Sequence, residues 1–287
     1  MNSICRYVLL SATILLAQEE EAQTPETQTS MPASLWTHQL VADLTANQVA
    51  LKDWAAGGDD AFAWGFSFNG TSQRDTEANV WATFYKFAFA QNKLGDQDIR
   101  KTVDRIEVES ALTMKLAFIV APYVKTTVKT QAFRGHIYDG DTKTAVSDLF
   151  DPAYFTQSAG AAAQLSEQVS TRLGAALRQI MTRDFNGYSD DDVTTKIEQL
   201  RWDGGVESVT DVNWPLADNI LMTSKLEIFV PLNELGDRSI GHDATLTVKL
   251  SDHINLNMNL QLLDDPTASD ELQLKQTTAF GVSYNLF

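Results

Sequence analysis

The last stretch of the chain, residues 271–287, reads ELQLKQTTAFGVSYNLF. Its even positions are mostly apolar, while its odd positions are mostly polar or small; the even set is Leu272, Leu274, Gln276, Thr278, Phe280, Val282, Tyr284 and Leu286. Side chains alternate between the two faces of a β-strand, so this period of two predicts a strand between two different environments. A strand that ends on an aromatic residue is typical of the last strand of bacterial outer-membrane barrels, although Phe287 itself falls on the polar face.

The same alternation recurs along the chain between turn residues. In residues 61–70, for example, Phe62, Trp64, Phe66 and Phe68 alternate with small residues. Period-two patterning of this kind predicts strands. They are predicted at residues 36–46, 61–70, 79–91, 103–118, 123–138, 154–165, 169–182, 194–214, 219–230, on both sides of residues 251–253, and at 271–287.

About twelve strands result, an even number, as in bacterial single-chain barrels. The connections after the even-numbered strands are short, whereas those after the odd-numbered strands are mostly longer and acidic. Outer-membrane barrels have short periplasmic turns and longer external loops. The strand count and the loop lengths therefore indicate the same architecture.

Composition and charge exclude some classes of protein. The chain has 287 residues, 44% of them hydrophobic, and a mean hydropathy of -0.19. No apolar run of about 18 residues occurs beyond the N-terminus, which excludes a helical membrane protein. A barrel passes this test because its apolar residues alternate with lumen residues. A net charge of -16 argues against a nucleic-acid partner, since phosphate binding needs a basic surface.

The N-terminus reads as an export signal. A basic lead ends at Arg6, an apolar core runs to Ala17, and an acidic sequence follows, which predicts a signal peptide at residues 1–17. The alternative, a membrane anchor, has too short an apolar run. Residues 18–34 are rich in Glu, Gln, Thr and Pro and predict a disordered acidic spacer before a barrel at residues 35–287. The only cysteine, Cys5, lies in the signal peptide, so the mature chain contains no thiol.

Charge on the two faces separates a membrane barrel from a secreted soluble β-protein, which is the alternative. The polar faces carry many long charged side chains, whereas the apolar faces carry almost none in mid-strand. A bilayer requires this, because a Lys or Arg at its midplane costs about 2 to 4 kcal/mol. We therefore predict a single antiparallel up-and-down transmembrane β-barrel in the outer membrane of a Gram-negative bacterium. Its expected partners are outer-membrane lipid and the barrel-assembly machinery.

The polar faces supply the candidate lumen-lining residues. These are the bases Arg105, Lys115, Lys125, Lys129, Arg172, Arg178, Arg201, Lys225, Lys249 and Lys275, with the acids Glu107, Glu109, Asp203, Glu207 and Glu227; Lys86 also lies on a polar face. Two interpretations are open. A basic wall would line a narrow passive channel for small anionic solutes, since charged rings set pore selectivity. If the bases pair with the acids instead, the barrel is a non-conducting structural or surface-interaction protein with acidic external loops.

Nothing in the sequence indicates catalysis. The four histidines, His38, His136, His242 and His253, lie at predicted strand ends or loops, with no visible pairing to a nucleophile. The run Asp190-Asp191-Asp192 could bind a cation through carboxylates, but its spacing matches no calcium loop. We therefore expect no enzyme, no catalytic residues, no metal and no cofactor.

A resemblance accompanies these patterns. Asn47-Gln48-Val49 followed by Asp53-Trp54-Ala55-Ala56-Gly57-Gly58-Asp59 resembles the opening of a bacterial family, domain of unknown function 3078, with Asp53 in place of the family's Asn. Further matching stretches are Asp104-Arg105-Ile106, Thr130-Gln131 and residues 147–154. The resemblance implies an outer-membrane barrel and supplies no activity or catalytic residues.

Overall fold

The computed structural model describes residues 36–51, 58–116, 120–140, 142–190, 195–233, 238–266, 269 and 271–286. The predicted signal peptide (1–17) and spacer (18–34) lie outside these residues, as do Phe287 and the motif residues 53–57. No helix among the described residues is long and apolar enough to cross a membrane.

Fourteen strands account for most of the described chain. They are β1 (Trp36–Val49), β2 (Ala61–Asp75), β3 (Asn79–Leu94), β4 (Arg100–Met114), β5 (Val120–Thr130), β6 (Gly135–Asp139), β7 (Thr142–Ser147), β8 (Ala153–Gln164), β9 (Val169–Met181), β10 (Leu200–Ala217), β11 (Ile220–Pro231), β12 (Ser239–Lys249), β13 (Ile254–Asp264) and β14 (Gln273–Asn285). All except β6 and β7 close into one antiparallel barrel of twelve strands. The predicted all-β up-and-down barrel of about twelve strands is confirmed.

The strand predicted at residues 123–138 is wrong at its end. β5 stops at Thr130, and β6 and β7 form a separate hairpin between β5 and β8. The carboxylate of Asp104 accepts hydrogen bonds from the backbone N–H groups of Ala132 and Phe133, each at 2.8 Å. A side chain of β4 thus replaces the ladder bonds that these residues would otherwise make, and the chain leaves the wall.

The strand predicted at residues 194–214 starts too early, since β10 begins at Leu200. The preceding connection contains a 3₁₀ turn, Asn186–Tyr188, and is held by a buried side chain. Asp151 accepts hydrogen bonds from the backbone N–H groups of Arg183 at 2.9 Å and Asp184 at 2.7 Å. These bonds fix the start of the connection beside the loop that follows β7.

The two ends of the barrel differ in their connections. Residues 76–78, 115–119, 165–168, 218–219 and 250–253 join strands at one end, which we name the short-turn end. Residues 50–60, 95–99, 131–152, 182–199, 232–238 and 265–272 join them at the other, the long-loop end. The barrel also begins and finishes at the short-turn end, so the alternation predicted from the sequence is present.

The outer face of the wall is apolar and exposed. Leu44, Leu173 and Phe280 are 59%, 58% and 61% exposed. Further large apolar side chains with high exposure are Phe68, Trp81, Val108, Val124, Val206, Met258 and Val282. Soluble monomers rarely expose contiguous apolar patches of more than a few hundred Å². The wall is therefore that of a transmembrane barrel.

Aromatic rings cover part of this outer face near the long-loop end. Phe66 of β2 lies 5.4 Å from Phe87 and 6.0 Å from Phe89 of β3, measured between ring centres. Trp64 lies 5.9 Å from Phe89. We refer to Trp64, Phe66, Phe68, Phe87 and Phe89 as the outer aromatic cluster. Phe133, just after β5, packs edge to face against it, with its ring centre 4.7 Å from that of Phe89.

The closure of the barrel is uneven. β1 pairs with β2 from Trp36 to Val49, over its whole length. With β14 it pairs only from Val41 to Thr45, opposite Gly281 to Asn285. Residues 46–49 and 277–280 thus have no registered partner across this seam, although all of them are described.

Candidate functional site in the barrel lumen

Register brings charged residues side by side on the inner face. Glu107 of β4 lies opposite Lys86 of β3 and Lys129 of β5. On the far side, Lys225 of β11 lies opposite Asp211 of β10 and Asp243 of β12. Opposite charges that face each other across a ladder attract, so each wall combines both signs.

Lys225 lies at the centre of the lumen charges. Its Nζ is 3.2 Å from Glu107 Oε1, 2.9 Å from Glu109 Oε2 and 3.0 Å from Glu227 Oε1. Glu227 belongs to the same strand, whereas the other two carboxylates come from β4. One ammonium group therefore joins walls that are five strands apart in the ring.

Arg105 makes the longest connection. Its Nη1 donates to Asp243 Oδ2 at 2.8 Å, and its Nη2 donates to Glu107. β4 and β12 are six strands apart in the ring of twelve, so this pair spans diametrically opposite walls. The side chains of Arg105 and Asp243 meet across the lumen, where a solute would have to pass.

Further pairs extend this layer. Lys125 Nζ donates to Glu207 Oε1 at 2.9 Å, and Lys129 pairs with Glu227. Arg172 donates to Glu109 at 2.7 Å and to Asp211 at 3.0 Å. The resulting central network has six bases and six acids: Lys86, Arg105, Lys125, Lys129, Arg172 and Lys225 with Glu107, Glu109, Glu207, Asp211, Glu227 and Asp243.

Some members of the central network are almost fully buried. The Lys125 and Glu107 side chains are only 1% and 2% exposed. Charges removed from water are costly unless they are paired, so loss of one partner of a buried pair destabilises by about 3 to 5 kcal/mol. Because several carboxylates bind more than one base, any single pair is held in place by its neighbours.

Three carboxylates of the network could suit a metal ion by their spacing. Oxygen atoms of Glu107, Glu109 and Glu227 lie within 4.8 Å of one another. However, the Lys225 ammonium lies between them and contacts all three. The chain's own cation thus neutralises this carboxylate group, and the arrangement gives no reason to add a metal.

A second layer lies nearer the long-loop end. Arg178 places its guanidinium carbon 4.1 Å from the centre of the Phe229 ring, and its Nη2 donates to Ser239 at 2.8 Å. The Phe229 ring in turn covers Gly205, where a Cβ atom would lie 2.7 Å from the ring. Asp265 lies 3.8 Å from Arg178. Aromatic and charged groups therefore fill the lumen above the central network.

The structure places the other predicted lumen residues outside the central network. Lys115 follows β4 at the short-turn end and pairs with Asp75. Lys249 ends β12 and is exposed. Near the long-loop end, Lys275 donates to the backbone carbonyl of Thr102 at 2.7 Å. Arg201 pairs with Asp203 at 3.0 Å.

Two network acids were missing from the candidates named from the sequence. Asp211 falls on the polar face of its predicted strand, and only its proximity to Arg172 reveals its role. Asp243 lies just before the alternating run that begins at Thr245. Extending that period-two pattern by one step would have found Asp243, but nothing local could indicate its partner on the opposite wall.

The structure pairs two histidines with serines, which sequence reasoning missed. Ser72 Oγ lies 2.8 Å from His38 Nδ1, and Ser224 Oγ lies 2.8 Å from His242 Nε2. Both pairs join neighbouring strands on the outer face. Acyl transfer also needs free N–H donors for the oxyanion, whereas backbone groups within a barrel wall are engaged in the ladder. These contacts are the ordinary satisfaction of polar groups on an apolar wall.

Fold and lumen together define a transmembrane β-barrel with a charge-paired interior. Residues 46–136 match the family described as Protein of unknown function (DUF3078). The resemblance predicted from the sequence is confirmed over that segment. No curated protein matches the chain.

Solved structures match the chain at low sequence identity and with low TM-scores. An outer membrane channel from Pseudomonas putida F1 is 10% identical with a TM-score of 0.40, over 92% of this chain and 99% of that one. The NanC porin is 8% identical with a TM-score of 0.39, over 85% and 97%. The translocator domain of autotransporter NalP from Neisseria meningitidis is 11% identical with a TM-score of 0.38, over 87% of each chain.

Proposed function

We propose that the protein is an outer-membrane barrel whose lumen is closed at mid-height by the central network, so that it does not conduct in this state. Three features support this location: the predicted signal peptide, the apolar outer wall, and the long loops at the end opposite the barrel's termini. The short-turn end then faces the periplasm and the long-loop end the outside. This proposal corresponds to the non-conducting alternative derived from the sequence.

The observation that carries the proposal is the contact between opposite walls. Glu107, Lys125 and Lys225 each lie near the middle of their strands, and Arg105 reaches Asp243 across the full ring. A passage at this level would have to separate side chains that are paired across the lumen, some of them almost fully buried. Barrels of intermediate strand number lie between filled small barrels and open porins, and this interior belongs with the filled ones.

Planar-bilayer recordings test the closed lumen. We expect the wild-type barrel to give no stable conductance steps. The double substitution Arg105→Ser with Asp243→Ser removes both partners of the spanning pair at unchanged net charge and should produce steps. The matched control is Lys115→Ser with Asp75→Ser, which removes an ion pair at the short-turn end and should remain silent. Equal conductance in wild-type and Arg105–Asp243 variant would contradict a closing role for the pair.

The narrow channel for small anionic solutes makes a different prediction. It requires steady wild-type conductance and, in a salt gradient, a reversal potential that favours chloride. The equal numbers of bases and acids in the central network argue against a uniformly basic wall. The reversal potential of the Arg105–Asp243 variant in the same salt gradient would show which ion the opened lumen prefers.

A further inference from the structure

We call the β6–β7 hairpin and the neighbouring strand ends at the long-loop end the rim. The geometry there points to a binding site for a phosphate group, formed by Arg100 of β4 and Lys143 of β7 around the ring of Tyr138. The ligand class is a phosphate monoester, carried either by a lipid headgroup of the outer leaflet or by a soluble molecule. This inference is independent of whether the lumen conducts, because the site lies on the β6–β7 hairpin and the strand end beneath it.

The hairpin is fixed to the barrel rim. Lys101 Nζ donates to Asp104 Oδ2 at 2.7 Å and to the carbonyl of Phe133 at 2.6 Å. Arg134 donates from Nε and Nη2 to Asp148 Oδ2 at 2.9 and 2.7 Å. These bonds hold both ends of the hairpin, so its side chains keep a defined position above β3 and β4.

Two basic side chains of the rim, Arg100 and Lys143, contact the aromatic ring of Tyr138 instead of a carboxylate. The Arg100 guanidinium carbon lies 4.4 Å from the centre of the Tyr138 ring, and Lys143 Nζ lies 5.8 Å from it. Cation–π contacts of this kind orient a cation without neutralising its charge. Within the described part of the chain, neither residue forms an ion pair, and Arg100 Nε is buried with no hydrogen-bond partner.

The basic side chains of the rim also act on a neighbouring histidine. The pKa of His136 lies below its ordinary value, through desolvation and through the charges of Lys143, Arg134 and Lys101. Those cations disfavour a further positive charge at this position. A phosphate would meet the opposite effect and be attracted to the same place.

The chemistry and the position favour phosphate at a membrane surface. Arginine and lysine both bind phosphate, the first through a planar fork and the second as a compact charge. Phe133, at the base of the hairpin, rests on the outer aromatic cluster of the lipid-facing wall. Ile137 on the hairpin is 62% exposed, which suits contact with the interfacial region. Basic groups near an anionic membrane surface gain attraction from it.

Native mass spectrometry of the detergent-solubilised barrel with added lipid A, a phosphorylated glycolipid, tests the site. We expect retained lipid A on the wild type and at least tenfold weaker retention after Arg100→Gln with Lys143→Gln. Lys115→Gln with Lys249→Gln, two lysines at the short-turn end, makes a matched loss of two charges and should retain lipid A as the wild type does. Equal retention by the wild type and the double variant would overturn the site.

Two further measurements separate the sources of phosphate and the role of the ring. Millimolar inorganic phosphate that displaces lipid A identifies a site open to soluble phosphate, whereas phosphate that fails to compete identifies a lipid headgroup. Tyr138→Phe preserves the ring and should retain binding, while Tyr138→Leu should weaken it at unchanged charge. Equal binding by Tyr138→Leu and Tyr138→Phe would contradict the arrangement of the two cations around the ring.

Discussion

Lysine and arginine are concentrated both in the lumen and at the rim, but their contacts differ between the two regions. In the lumen, Lys225 contacts three carboxylates and Arg105 reaches the opposite wall to meet Asp243. At the rim, Arg100 and Lys143 contact an aromatic ring. The difference teaches that the lumen pairs its bases with carboxylates, whereas two bases at the rim, Arg100 and Lys143, keep a charge that no carboxylate among the described residues neutralises.

The largest expected effect is a difference in stability between variants of two lysines, one in the lumen and one at the rim. Lys225→Met removes the shared cation of three carboxylates, two of them buried, and we expect the free energy of unfolding to fall by about 3 to 5 kcal/mol. Lys143→Met removes an exposed cation of the rim and should change it by no more than about 0.5 kcal/mol. Urea titrations of the barrel folded into lipid vesicles measure both. Similar losses for the two variants would break the comparison.

Packing in the lumen gives the next test, on adjacent glycines. Gly205 faces inward, and a Cβ there would lie 2.4 Å from the Val230 carbonyl oxygen. Gly204 faces outward and has nothing within 4 Å of that position. Overpacking costs about 1 to 3 kcal/mol, so Gly205→Ala should destabilise by that amount. Gly204→Ala should be near neutral in the same urea titration, and equal effects would show that the lumen is loosely filled.

A double-mutant cycle compares one ion pair from each region. Arg105 and Asp243, substituted singly and together by alanine, should show a coupling free energy of about 0.5 to 3 kcal/mol. The cycle on Arg134 and Asp148 at the rim should show a smaller coupling, because the Arg134 side chain is exposed and exposed pairs are screened by solvent. A coupling at the rim as large as that in the lumen would contradict the importance assigned to burial.

The smallest effect concerns the pH dependence of Asp148. Its pKa lies below its ordinary value because Arg134 and the backbone N–H of Leu149 hydrogen-bond its carboxylate. A depressed pKa contributes stability above the ordinary value, and that contribution is lost as pH falls through the folded value. Carboxyl NMR titration should show the pKa rising towards its ordinary value in Arg134→Gln. An unchanged pKa would mean that the arginine does not hold the loop.

Much of the fold follows from local pattern. Alternation along β2 and β14 predicts both strands to within a few residues, because each face meets one environment throughout. The hairpin was not predictable, since the bonds from Asp104 to Ala132 and Phe133 join segments that are distant in sequence. Local alternation thus identifies the inward side of a strand but not where the chain leaves the wall.

The candidate site shows the same limit. The alternation marked Lys225 and Glu109 as polar-face residues, yet the choice between an open basic wall and paired charges depends on contacts between β4 and β11, over a hundred residues apart in sequence. The pairs of His38 with Ser72 and of His242 with Ser224 likewise require register, which no single strand contains.

The partial seam between β1 and β14 has a consequence for the surrounding membrane. Backbone groups without partners are costly in hydrocarbon, so residues 46–49 and 277–280 must be reached by water or by headgroups. The outward side chains there include Gln48 and Thr278, which suit such contact. We therefore expect water or headgroups to reach further along the wall beside this seam than around the rest of the circumference.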